Sequence, residues 1–368
     1  MNAKSRPLVT VLMPVYNGSK YLDEAIESIL NQTFIDFEFL IIDDCSIDNS
    51  IEIITRYHDS RIRLVENNNN LGQSKTLNKG IDLALGKYIA RMDQDDISLP
   101  KRLEEQVNYF KEHSDISVLG TWWKAIIDGE LDDQGNKIYK ELKLPEDPDT
   151  CAFWMYFYGD QPIAHPCVMF EKNKIKDLGR YNVSYKVAQD IELWLRALSN
   201  KLKFANVPEF LFLYRLHQDQ GSKSILVEEE HNRALAEFIS SVLNRNIDCK
   251  QSARFRSKNF NDCNFTVFEN VKEMLHLKMD VLDEYLKIYT IPSNQVFEHS
   301  MMIWSTLQKL GSLKAIRWRQ IIIYNMNFCL NFIRLLSNYN QKPYSLYAWR
   351  FLFNVYPPLI KGFLRSLF

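Results

Sequence analysis

Gly86-Lys87-Tyr88-Ile89-Ala90-Arg91-Met92-Asp93-Gln94-Asp95-Asp96 is the stretch that decides how the rest of the chain is read. Tyr88 to Met92 is a short run of strand-forming residues that ends abruptly on three carboxylates. Carboxylates crowded at a strand end repel one another, so the loop is either a solvated acidic turn or a site that a cation neutralises. A hard divalent ion, Mg2+ or Mn2+, suits one or two protein carboxylates together with phosphate oxygens. In isolation such a cluster favours the acidic turn; its place in the chain favours the cation.

That place is set by what comes before it. Leu8 to Met13 is an apolar run of β character closed by Pro14, and Lys20 to Leu30 has helical periodicity through Leu22, Ile26, Ile29 and Leu30. Phe37 to Ile42 is a second apolar run, ending on Asp43-Asp44, and a helix is expected from about Asp48 to Tyr57. A strand at Ile62–Val65, a polar loop at Glu66–Asn70 and a helix from about Gln73 to Leu85 complete the approach. The strand–helix alternation implies a parallel sheet wrapped by helices. Ligands of such sheets bind beyond the carboxyl ends of the strands. Pro14–Tyr16, Asp43-Asp44 and Asp93–Asp96 all stand at such ends, so three polar clusters converge on one sheet edge. Beyond residue 100 the pattern is mixed, with a helix near Leu103–His113, strands at Ile116–Leu119 and Val168–Phe170, and a helix after Gln189. After Ser224 it reads mainly helical, most clearly from Leu226 to Leu243. The expected division is a catalytic region over 1–222 (halves 1–100 and 101–222) and a helical region over 223–368.

Charge is unevenly spread. The chain has 368 residues and a formal net charge of -1, yet residues 301–368 hold nine Lys/Arg and no acid, which leaves -10 on the first 300. An acidic body argues against nucleic acid as a partner. The tail also carries 14 aromatic residues. Cationic, aromatic-rich segments can lie on an anionic bilayer; the alternative is a helical region packed on the acidic body. The six scattered cysteines form no C-x-x-C or zinc spacing and fit a reducing compartment. No signal-peptide pattern opens the chain, and no uncharged apolar stretch reaches the roughly 18–20 residues of a membrane span. A cytoplasmic protein, peripheral on the inner face of the cell membrane if the tail engages it, is the expectation.

Several motifs in order resemble the inverting family 2 glycosyltransferases with the GT-A fold. They are Pro14-Val15-Tyr16-Asn17-Gly18, Ile41-Ile42-Asp43-Asp44-Cys45-Ser46 with Asp48, Asn70-Leu71-Gly72, Leu77-Asn78-Lys79-Gly80 and the Gly86–Asp96 stretch. The similarity continues through His165-Pro166-Cys167-Val168-Met169-Phe170, Gln189-Asp190-Ile191-Glu192-Leu193-Trp194-Leu195-Arg196 and Tyr214-Arg215-Leu216-His217. The resemblance implies an α/β fold with a GT-A-type mixed sheet flanked by helices, and a mainly helical C-terminal extension. It implies a nucleotide-sugar donor, usually a UDP-sugar, an acceptor on a glycan or lipid carrier, and Mn2+ or Mg2+ as cofactor. Pro14 and Tyr16 would border the nucleoside, and Asp43 would accept hydrogen bonds from the base. Asp93 would approach the ribose or a metal-bound water, Asp95 would ligate the metal, and Asp96 would brace the loop. Asp44 is either a second contact or a structural turn residue.

Asp190 is the implied catalytic base. A carboxylate must take the proton of a poorly nucleophilic acceptor hydroxyl, on the sugar face opposite the leaving group. The other reading of Asp190 is a helix N-cap. The family often has an acid just before this Asp, where Gln189 stands here. His217 resembles the family's late His and would contact the metal or diphosphate; Arg215 either pairs with phosphate or braces the fold. His165 shapes the acceptor side or serves the structure, and Lys75 and Lys79 read as solvated surface. A metal-dependent nucleotidyltransferase is the rival enzyme, but such enzymes need an early Gly-rich phosphate loop and Pro14–Lys20 has only Gly18. A catalytically inactive membrane-associated scaffold of the same fold is the non-enzyme alternative.

Overall fold

The computed structural model describes residues 6–131, 137–158, 161–217 and 226–256, together with 277–278, 280–281, 283–285 and 287–288. The basic aromatic tail 301–368 lies outside the described residues. Four parallel strands open the chain: β1 (Val9–Val15), β2 (Phe37–Asp43), β3 (Ile62–Glu66) and β4 (Tyr88–Arg91). Between them run α1 (Leu22–Leu30), α2 (Ser50–Thr55) and α3 (Gln73–Leu83). Every residue of β2 and β4 is buried, as expected of strands covered on both faces. The face of α1 formed by Leu22, Ala25, Ile26 and Ile29 closes one side. On α3, a Cβ at Gly80 would lie 2.3 Å from Leu12, so glycine lets the helix sit directly on β1.

The remaining elements are β5 (Ile97–Ser98), α4 (Arg102–Glu112), β6 (Ile116–Leu131), β7 (Lys137–Leu142), α5 (Pro148–Tyr158), β8 (Met169–Glu171), α6 (Lys172–Asp177), α7 (Gln189–Ser199), β9 (Lys203–Leu216), α8 (Leu226–Leu243) and α9 (Cys249–Arg256). They extend the sheet to the order β3-β2-β1-β4-β8-β6-β9-β5, with β7 paired to β6. The β4–β8 and β8–β6 pairs are antiparallel, whereas β6–β9 is parallel. The sheet is therefore mixed, as the GT-A resemblance implies, and parallel through its first half, as the strand–helix alternation implies.

Arg102 holds the seam between the halves. Its fully buried guanidinium donates to the carbonyls of Arg91 (2.6 Å) and Val168 (3.4 Å) and to Ser98 Oγ (2.8 Å). The chain divides into two compact units, Met1–Met155 with Gln161–Ser241 and Tyr156–Asp160 with Val242–Phe368. Nearly all of α8 thus belongs to the first unit. Among the described residues, no helix is long and apolar enough to cross a membrane.

Candidate active site

The donor side is built by stitching strand-end loops together. β1 lies between β2 and β4, so the strands carrying Asp43 and Asp93 are about 10 Å apart. The Asp44 amide donates to Val15 O at 2.7 Å, and the Asn17 amide to Ser46 Oγ at 3.0 Å. Asp48 accepts from the Ser19 amide and from Ser50, and its pKa is lowered; burial opposes that shift, but the bonds from Ser50 and Ser19 outweigh it. These contacts turn the Tyr16 ring outward, 46% exposed, beside half-buried Pro14.

The paired aspartates have different tasks. Asp43 is completely buried; its Oδ2 accepts from the Ser46 amide at 2.9 Å, while its Oδ1 has no hydrogen-bond partner among the described residues. A buried acceptor without a donor is costly, so this oxygen suits a ligand N–H. Asp44 is saturated by Asn67 Nδ2 (2.7 Å), the Leu71 amide (2.9 Å) and the Gly72 amide (2.9 Å). It pins the polar loop to the end of β2, which is the structural alternative. Lys79 donates to Asn67 Oδ1, supporting the same loop, and Lys75 is exposed.

Asp93, Asp95 and Asp96 bring three carboxylate oxygens within 4.8 Å of one another. Burial, together with the neighbouring carboxylate of Asp95, pushes Asp93 up to about 6, although paired Arg91 opposes the shift. Asp96 is raised well above the usual range by burial and by Asp95 and Asp93. Its Oδ1 accepts from the Arg215 amide at 2.8 Å, and its buried Oδ2 has no hydrogen-bond partner among the described residues. Mutually repelling oxygens, one of them unsatisfied, fit a hard divalent cation.

His217 and Arg215 reach this loop from the end of β9. His217 Nε2 lies 2.8 Å from Asp95 Oδ2, and its ring packs on Tyr21 at 5.2 Å between centroids. The Arg215 guanidinium is turned inward, donating to Asp95 O (2.8 Å) and to Glu24 Oε2 (2.8 Å) and stacking over Tyr21 at 4.5 Å. Only 3% of its side chain is exposed.

Asp190 stands on the first turn of α7. The residue in the cap position is Ala188, and no side chain caps the helix. Asp190 Oδ2 accepts from Gln161 Nε2 at 2.9 Å and Oδ1 from the Ile191 amide at 2.8 Å. Burial raises its pKa, partly opposed by the Gln161 bond and by Arg91. Its charge in turn helps raise Asp93, so the two carboxylates share one neighbourhood. Gln189, beside it, donates to Gln73 at the start of α3 (2.7 Å). His165 is buried, bonded through Nε2 to Tyr181 Oη at 2.8 Å, and held well below its usual pKa by burial and by Arg91.

Sequence reasoning gave no role to Gln94, Arg91, Gln161 or Glu230. Gln94 is an uncharged residue between the acids, Arg91 lies inside an apolar strand, and Gln161 has no pattern around it.

Residues 10–172 match the family described as Glycosyl transferase family 2. The chain is 41% identical over 215 residues to an uncharacterized glycosyltransferase of Methanocaldococcus jannaschii, covering 57% of this chain and 71% of that one. It is 33% identical over 247 residues to the O-antigen biosynthesis glycosyltransferase WbnJ of Escherichia coli, covering 65% and 92%. It is 32% identical over 220 residues to the putative glycosyltransferase EpsE of Bacillus subtilis, covering 58% and 75%. S. aureus TarS 1–349, solved in complex with UDP-GlcNAc, has the same fold at a TM-score of 0.55 and 17% identity, covering 76% of this chain and 83% of that one. With its mixed GT-A-type sheet and these relatives, the chain belongs to glycosyltransferase family 2.

Proposed function

We propose that this glycosyltransferase moves a sugar with inversion from a nucleoside-diphosphate donor, a UDP-sugar by preference, to a hydroxyl of a glycan or lipid-linked acceptor in surface-polysaccharide synthesis. The carrying observation is the cluster of Asp93, Asp95 and Asp96 at the strand ends, whose carboxylate oxygens lie within 4.8 Å of one another where a cation would be held. Family membership favours this reading over nucleotidyl transfer.

Tyr16 and Pro14 border the base, and Asp43 Oδ1 accepts its N–H. Asp95 and His217 would hold Mn2+ or Mg2+, and Asp93 would face the ribose or a water on the ion. When bound, the ion supplies Lewis-acid stabilisation of the charge that builds on the departing diphosphate. Asp190 takes the acceptor proton as the hydroxyl oxygen bonds to the anomeric carbon, and the bond from that carbon to the diphosphate oxygen breaks. Its raised pKa makes it a better proton acceptor than an ordinary carboxylate. Arg215, with its guanidinium turned inward, braces the acidic loop instead of binding phosphate.

The test is nucleotide release from UDP-glucose, UDP-galactose, UDP-GlcNAc and GDP-mannose, with Mn2+ and with a chelator. One donor turning over in Mn2+ alone supports the reading. Equal release in both conditions, or release from no donor, overturns it.

A further inference from the structure

We propose that Glu230 is a positioning residue for Asp190, which makes α8 a working part of the transfer site; this rests on Asp190 being the base. The three residues before the α7 turn, Lys186, Val187 and Ala188, direct successive amides at one carboxylate. Glu230 Oε2 accepts from Lys186 (2.9 Å), Val187 (2.9 Å) and Ala188 (3.0 Å), and Oε1 from Lys186 (3.0 Å). Successive amides in such a concavity bind an anion, and here the anion is supplied from 42 to 44 residues away. Burial would lift the Glu230 carboxyl; the three amides outweigh it and hold the group below its usual range.

The rest of that helix face does similar work. Arg233 stacks over the Tyr185 ring at 3.9 Å and donates to Ser184 O, and Glu237 accepts from Tyr185 Oη at 2.9 Å. Residues 230, 233 and 237 share one face of α8 by helical spacing. From the other side, α3 grips the same segment: Ser74 Oγ donates to Tyr185 O, and Asn78 exchanges two hydrogen bonds with the Tyr181 backbone. Asp190 itself has one side-chain partner among its hydrogen bonds, Gln161. The placement of its carboxylate is therefore inherited from the backbone at 186–188, which Glu230 fixes. Displacing a catalytic group by about 1 Å can cost on the order of 100-fold in rate.

The full chain is tested with the donor that turns over fastest in the panel above. Glu230→Ala should lower nucleotide-release kcat by roughly 10- to 100-fold and leave affinity for UDP with Mn2+ unchanged. Glu230→Gln, which keeps an acceptor oxygen on the same stem, should recover most of the rate. Glu230→Ala in an Asp190→Asn background should remove nothing further. Hydrogen exchange of the peptide spanning 184–191 should rise in Glu230→Ala and stay unchanged around Asp43. If the alanine variant does not fold, Glu230→Asp, whose shorter stem withdraws the carboxylate, carries the same expectations with a smaller rate loss. Unchanged kcat in the variant, a parallel loss of UDP affinity, or an added loss on top of Asp190→Asn overturns the proposal. Full activity in Asp190→Asn alone overturns the base reading instead.

Discussion

Gln94 and Tyr16 are joined by a reciprocal pair of hydrogen bonds: the Tyr16 amide donates to Gln94 Oε1 at 2.8 Å, and Gln94 Nε2 donates to Tyr16 O at 3.1 Å. The acidic loop after β4 thereby sets the height of the exposed ring after β1. A Cβ at Gly18 would lie 2.5 Å from Gln94 Oε1. Gly18→Ala should push that amide aside and weaken UDP binding several-fold by calorimetry, with little change in Tm. Gln94→Ala should reproduce the loss. Unaltered affinity in both would dissociate the loop pairing from the donor site.

Asp95→Ala should abolish the Mn2+-linked part of UDP binding, because it removes the oxygen that His217 approaches. His217→Ala should weaken it less, since Asp93 and Asp96 remain. A titration of UDP with and without Mn2+ separates the two; metal-linked binding that survives Asp95→Ala contradicts the ligand assignment.

Asp190→Asn should keep nucleotide affinity and lose turnover by at least about 100-fold, within the usual range for a general base. Turnover of the unmodified protein should fall with acidification at a pH above that of an ordinary carboxylate, because burial raises the Asp190 pKa and the base must be unprotonated. A pH–kcat profile that stays flat into the usual carboxylate range would remove Asp190 from the role.

Burial lifts Asp93 to about 6 and Asp96 well upward, so the metal-free folded chain binds protons more tightly than the unfolded chain. The Asp93 contribution to stability is full below the unfolded carboxylate pKa and is lost as pH rises through about 6, and that of Asp96 is likewise lost above the usual carboxylate range. The Tm of chelator-treated protein should therefore fall from pH 5 to pH 7, and more steeply than in Asp93→Asn. Mn2+ should raise Tm more at pH 7 than at pH 5. Equal metal shifts at the two values would count against the coupling.

Arg215→Met should destabilise the fold by about 1–3 kcal/mol, from lost charge-assisted hydrogen bonds, discounted because Glu24 is half exposed. A Tm unaffected by the change would show that the guanidinium does not brace the loop.

Much of this site was legible because β1, β2 and β4 are apolar runs cut off by Pro14, Asp43 and Asp93, so sequence alone marks the ligand edge. The second half was harder. β9 was not foreseen, because Pro208 and Glu209 interrupt its apolar character, and β6 continues well past Leu119 through Gly120 and Lys124. α5 is apolar on nearly every side and gives no helical period. The clamp on Asp190 left no local signature, since Glu230 and the amides it receives are more than 40 residues apart. Partnerships over such distances depend on the packed chain.

Three almost wholly enclosed guanidiniums, those of Arg91, Arg102 and Arg215, stand around Asp93, Asp95 and Asp96. Counted as formal charges, they match the three carboxylates of the loop one for one, with Asp190 and the Glu24 partner of Arg215 left over. Much of the loop's charge is thus met by the protein itself, unlike a zinc finger that collapses when its metal is withdrawn. A loop braced in this way would keep its shape whether or not an ion sits on its carboxylates.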